Sequence, residues 1–121
     1  MPSIRVRDVI LIPDETVRPP KPKFVMCVEP QEGWFYRINT KPWRPAVPLL
    51  RLPHHPFLDH DSFIECGDPL MLDDYIVDEA LRVHGVIGLI DSSLCPAIIC
   101  ALDKASYLRD TDRELIRAAL A

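Results

Sequence analysis

The residues best equipped for chemistry are concentrated in one short stretch. His54-His55-Pro56-Phe57-Leu58-Asp59-His60-Asp61 holds three of the chain's four histidines together with two carboxylates. Imidazole titrates near neutrality, so a histidine here can act as a general base or acid. Imidazole and carboxylate also suit zinc and related ions, yet neither H-x-x-x-H nor H-x-H spacing occurs. The alternative is a surface loop whose polar side chains make turns and cap strands. A second group is basic. Arg37, Lys41, Arg44 and Arg51 are the densest cluster of positive charge, and Trp34 and Trp43 bracket Thr40 beside them. Exposed aromatic faces can stack the bases of a single strand, whereas core packing is the commoner fate of tryptophan. Cys27, Cys66, Cys95 and Cys100 contain no C-x-x-C pair and read as small buried hydrophobes.

The elements that must position these residues change in character along the chain. Val9-Ile10-Leu11-Ile12, ended by Pro13, and Phe24-Val25-Met26-Cys27-Val28 have the length and composition of buried strands. The turn cluster Glu29-Pro30-Gln31-Glu32-Gly33 joins the latter to Trp34-Phe35-Tyr36-Arg37-Ile38-Asn39 as a hairpin. Val47 to Leu52 and Ser62 to Cys66 are shorter strands, and the proline-rich run from Arg18 to Lys23 predicts an extended loop. Beyond Asp73 the period becomes helical. Ile76, Ala80 and Val83 mark a short amphipathic helix that starts at Asp73-Asp74 and that Gly85 ends. Val86 to Ile90 reads as one more buried strand. A helix capped by Asp91, Ser92 or Ser93, with Pro96 in its first turn, carries Ile98, Ile99 and Leu102. The last helix opens on a capping box, Thr111-Asp112-Arg113-Glu114, and packs through Leu115, Ile116 and Leu120. The fold class that follows is α+β, mainly β with C-terminal helices, as a small barrel or strongly curved sheet of five to six strands.

Composition sets outer bounds. A length of 121 residues fits one domain over residues 1–121, and 48% hydrophobic against 26% charged residues is ordinary for a globular chain. The formal charge of −4 gives no overall pull towards a polyanion. Positive charge is nevertheless gathered between Arg5 and Arg51 and negative charge between Asp59 and Glu79, so a local basic face is compatible with it. No apolar run approaches the roughly 20 residues that cross a bilayer, and the N-terminus lacks an apolar signal segment. A cytoplasmic protein with reduced cysteines and no membrane contact is the expectation.

Four segments, in order, resemble the PemK/MazF/Kid toxin family. Arg7-Asp8-Val9-Ile10-Leu11-Ile12 looks like its opening "GD-hydrophobic" strand, with Arg where Gly is usual. Lys21-Pro22-Lys23-Phe24-Val25-Met26-Cys27 is similar to its "R-P-hydrophobic" strand, with prolines around Pro19 in place of a Gly-rich loop. Phe35 to Thr40, followed by Lys41, resembles its strand ending in a polar turn. Ser62-Phe63-Ile64-Glu65-Cys66 through Asp73, then Gly85 to Leu89 and a helix, is similar to its ending. The resemblance spans nearly the whole chain. It implies an SH3-like barrel, a homodimer, and a toxin that cuts single-stranded RNA and is neutralised by an antitoxin protein.

In that family the RNA's own 2′-hydroxyl attacks, so no metal or other cofactor is implied. Carried over, the resemblance puts Lys21 at the family's phosphate-holding Arg and Thr40 at its polar residue after the central strand. Glu65 and Gly67 stand where some members carry Arg and Asp. The catalytic set that follows is Lys21, Thr40 and a histidine of the 54–60 stretch, taken as His60, with Arg37, Lys41 and Arg44 for RNA binding. The alternative on the same barrel is a non-catalytic module that binds a protein, as CcdB-like toxins do, or a diverged member without nuclease activity.

Overall fold

A computed structural model describes residues 4–14, 21–42, 45–106 and 108–121. Its strands are β1 (Asp8–Asp14), β2 (Lys21–Glu29), β3 (Trp34–Asn39), β4 (Ala46–Leu49), β5 (Ser62–Glu65), β6 (Leu70–Met71) and β7 (Gly88–Leu89). Its helices are α1 (Asp74–Val83), α2 (Cys95–Leu102) and α3 (Asp110–Leu120). The strands form one antiparallel sheet in the order β4-β5-β3-β2-β1-β7, with β6 continuing β5's side of β3. The sheet curls into a half-barrel. The expectation of a mainly β chain ending in helices holds. The strand count is seven among the described residues because two of the strands, β6 and β7, are only two residues long.

Both faces of the central strands are covered, which explains their unbroken apolar runs. Val9, Met26, Val28, Tyr36 and Ile38 face Ile98 and Leu102 of α2 and Ile116 and Leu120 of α3. The alternate residues Ile10, Ile12, Val25, Cys27 and Phe35 pack beneath Val77 and Ala80 of α1. The first helix is anchored at both ends. Asp73 caps α1 by accepting from the Ile76 amide at 3.0 Å. Gly85, at φ +70°, lets the chain leave α1 in the left-handed conformation expected of it. Arg7 is a non-glycine residue in that region, at φ 76°. Its amide donates to the Cys27 carbonyl at 2.8 Å and its guanidinium to the Ile90 carbonyl at 2.7 Å, which offsets the cost of the conformation.

Several local expectations change. β1 runs through Pro13, and β2 begins at Lys21 rather than after the proline-rich run; the rest of that run, Arg18 to Pro20, lies outside the described residues. Pro13 stands opposite Pro22. Two residues without N–H groups can face each other where the ladder makes no hydrogen bond between the pair. The apolar stripe of α1 is rotated, so that Val77 is buried and Val83 is 53% exposed. Of Val86 to Ile90 only Gly88–Leu89 pairs as strand, and Leu89 is exposed while Ile90 is buried. The capping box of α3 does not form. The helix starts at Asp110 without a side-chain cap, and Arg113 ties its first turn to the Leu102, Ala105 and Leu108 carbonyls. Leu115 is consequently turned to solvent, while Ile116 and Leu120 pack as expected.

Candidate functional site

The histidine-rich loop is a built structure. Arg51 closes it at both ends, its amide donating to the Asp61 carboxylate at 2.8 Å and its Nε to the Leu58 carbonyl at 2.7 Å. His55 is 4% exposed and fastens the loop to the rest of the chain. Its Nδ1 meets the Leu50 carbonyl at 2.9 Å, and its Nε2 accepts from the Asp91 amide at 3.0 Å. Those partners require the neutral tautomer with the proton on Nδ1. Phe57 packs edge-on against both His55 and Phe24, with ring centroids 6.1 and 5.7 Å away. Gly88 leaves room for that ring, since a Cβ there would stand 2.3 Å from Phe57 Cδ1.

The loop thereby presents Asp59 and His60 to the end of the β2–β3 hairpin. Between them lies a cleft of about 310 Å³, floored by Phe24, Ile38 and Leu58 and edged by Lys23, Asn39, Thr40, Lys41, Asp59, His60 and Ser62. Thr40, Lys41 and His60 are exposed. His60 Nδ1 lies 3.0 Å from the Asp61 carbonyl and 3.4 Å from the Ser62 hydroxyl. In the neutral ring that donates Nδ1–H to this carbonyl, Nε2 is the accepting nitrogen, the arrangement a general base needs. Two lysines, two hydroxyls, one amide and one imidazole around an open apolar floor, with the Asp59 carboxylate on the same rim, can hold a phosphodiester and move a proton beside it.

Thr40, Lys41 and His60 thus come together. Lys21 does not join them. It and Arg37 line a neighbouring groove of about 670 Å³ beneath α1, which meets the cleft at Pro22 and Lys23. Arg44 and Trp43 lie outside the described residues. Trp34 is a core residue at 7% exposure, and Arg51 is occupied in closing the loop. His54 is exposed, 4.0 Å from the Asp91 carboxylate. Among the described residues no three His, Cys, Asp or Glu side chains assemble as a metal site. Lys23, Asn39 and Ser62 were not selected from the sequence. The hairpin register could have found the first two: Val25 pairs with Arg37, so two residues further out Lys23 stands opposite Asn39.

The buried cysteines take no part. Burial, aided by Asp8 and Glu29, pushes the Cys27 thiol up to about 12, and burial with Glu65 nearby does the same to Cys66. Cys95 is buried as well, but Cys100 is exposed on α2, contrary to the expectation of four buried thiols. Among the described residues no helix is long and apolar enough to cross a membrane. Neither a family model, a characterised protein nor a solved structure matches the chain.

Proposed function

We propose that the protein is a PemK/MazF-like, SH3-like barrel toxin that cleaves single-stranded RNA without a metal ion, working in the cytoplasm as a homodimer held in check by an antitoxin. The observation that carries this reading is the meeting of His60, Thr40, Lys41 and Lys23 around one cleft. The left-handed Arg7 supports the family assignment, because it stands where the resemblance expects glycine. In the reaction, His60 Nε2 takes the proton of the 2′-hydroxyl as that oxygen bonds to phosphorus. The bond from phosphorus to the 5′-oxygen breaks, and water protonates the leaving oxygen in this open cleft. Thr40 and the two lysines hold the charge that builds on the non-bridging oxygens. Lys23 fills the phosphate-holding place in this scheme, and Lys21 with Arg37 guides the strand along the adjoining groove.

The products are a 2′,3′-cyclic phosphate and a 5′-hydroxyl. Incubating the protein with a labelled oligoribonucleotide in excess chelator and identifying the ends tests the chemistry. Fragments with those ends support it; intact RNA at high protein concentration contradicts it.

The groove beneath α1 favours a second reading. Its walls are largely apolar, with Leu11, Ile12, Leu72 and Val83, and Tyr75 on its rim is 76% exposed. A protein-binding module without nuclease activity would use that surface. Toxicity on expression that survives Thr40→Ala and His60→Ala would favour it.

A further inference from the structure

The cleft's most buried cation is not alone. Lys23 Nζ donates to the Asn39 side-chain carbonyl, and the Asn39 Nδ2 donates to the Glu65 carboxylate at 2.9 Å. The three residues lie on adjacent strands, β2, β3 and β5, with the amide in the middle. An amide has one accepting and one donating end, so its orientation here is fixed by an ammonium on one side and a carboxylate on the other. Glu65 is half-buried and Lys23 is half-buried, so screening between them is weaker than on an open surface.

We infer that Asn39 is a positioning residue that keeps Glu65 from neutralising Lys23, and so preserves Lys23 as the phosphate-binding cation of the cleft. The inference rests on the cleft being the phosphate site of the proposed nuclease. Without the amide, the lysine's four-carbon stem can bring the ammonium across to the carboxylate, and a paired ammonium binds a second anion less well. With it, the ammonium is anchored at the cleft edge and retains donors for an incoming phosphate, since only one of its three N–H bonds is used by Asn39. This also accounts for a carboxylate being tolerated at position 65, beside a site that must attract a polyanion.

The test uses the full chain and two probes: inorganic pyrophosphate, and a fully 2′-O-methylated hexanucleotide that can bind but lacks the attacking hydroxyl. Binding of each is measured for the wild-type protein, Asn39→Ala, Glu65→Gln and the double variant, with circular dichroism to check folding. Asn39→Ala is expected to weaken pyrophosphate binding about tenfold, the scale of one lost charge-assisted contact. Its salt dependence for the hexanucleotide should fall by about 0.7 in log–log slope, one phosphate contact on a single strand. Glu65→Gln, which keeps the side chain's shape, should bind pyrophosphate more tightly than wild type, and the double variant should regain most of what Asn39→Ala loses. A merely structural asparagine would lower stability without moving the salt slope and without rescue by Glu65→Gln. Equal pyrophosphate affinity for wild type and Asn39→Ala, no rescue in the double variant, or no pyrophosphate binding by the wild type would each overturn the inference. If the pyrophosphate pattern holds but RNA is neither bound nor cut, the nuclease reading fails and the role of Asn39 stands.

Discussion

At the scale of single residues, the histidines divide by their partners. His55 and His60 are five positions apart, yet one is a buried fastener and the other an exposed edge of the cleft. Removing the fastener leaves the Leu50 carbonyl and the Asp91 amide without their ring nitrogens. His55→Ala should therefore lower the free energy of unfolding by about 1–3 kcal/mol, measured by urea titration, because buried polar groups lose their partners. The thiols divide in the same way. Burial holds Cys27 and Cys66 protonated at pH 8, so a thiol reagent should label Cys100 rapidly in the native protein and reach Cys27 and Cys66 only after unfolding. Rapid native labelling of Cys27 would contradict the packing of its sheet face.

At the scale of elements, the cleft depends on a chain of contacts that runs from β7 to β2. Gly88 admits the Phe57 ring, Phe57 packs on Phe24 and His55, and Phe24 forms part of the cleft floor. Gly88→Ala should displace that ring and cost about 1–3 kcal/mol in urea unfolding, the range for overpacked cores, with altered ring-current shifts at Phe24. Unchanged stability and unchanged shifts would show that the loop is seated by other contacts. Much of this scaffold was legible in the sequence. The hairpin over Glu29–Gly33, the helix start at Asp73-Asp74 and its end at Gly85 all follow from local residue chemistry. What was not legible depended on distant partners. Lys21 to Lys23 extends as strand because residues 12 to 14 of β1 pair with it across the ladder. The α3 start is set by Arg113 reaching back to three carbonyls rather than by Thr111. Likewise, the histidine stretch announced itself, but only the fold separates His55 from His60.

At the scale of the whole molecule, part of the negative charge is taken up by ion pairs away from the cleft, while Asp59 stands on the cleft's own edge. Lys23 and Lys41 edge the cleft, while Glu79 on α1 is ion-paired with Arg82 and Asp103 with Arg117 across α2 and α3. Such exposed pairs add little stability individually. Some carboxylates nonetheless link folding to pH. Hydrogen bonds from the Ser93 hydroxyl and amide, with a smaller contribution from the nearby His54, hold Asp91 below the usual carboxylate range. Arg82 holds Glu79 below it as well. A depressed folded-state value stabilises the fold above the ordinary carboxylate range, and that contribution disappears as pH falls through the folded-state value. The melting temperature should accordingly fall as pH is lowered from about 5 to about 3. The Asp91→Asn variant should show a shallower fall. An identical acid profile for the variant would remove Asp91 from this account.

The most direct measurement is single-turnover cleavage of a labelled single-stranded oligoribonucleotide in excess chelator by the wild-type protein, His60→Ala and His54→Ala. Wild type and His54→Ala should cleave at similar rates, while His60→Ala should be slower by about 10²- to 10⁴-fold, the span of general-base catalysis, with its melting temperature unchanged. Equal rates for wild type and His60→Ala, or no cleavage by any of the three, would contradict the assignment of the cleft as a metal-independent ribonuclease site.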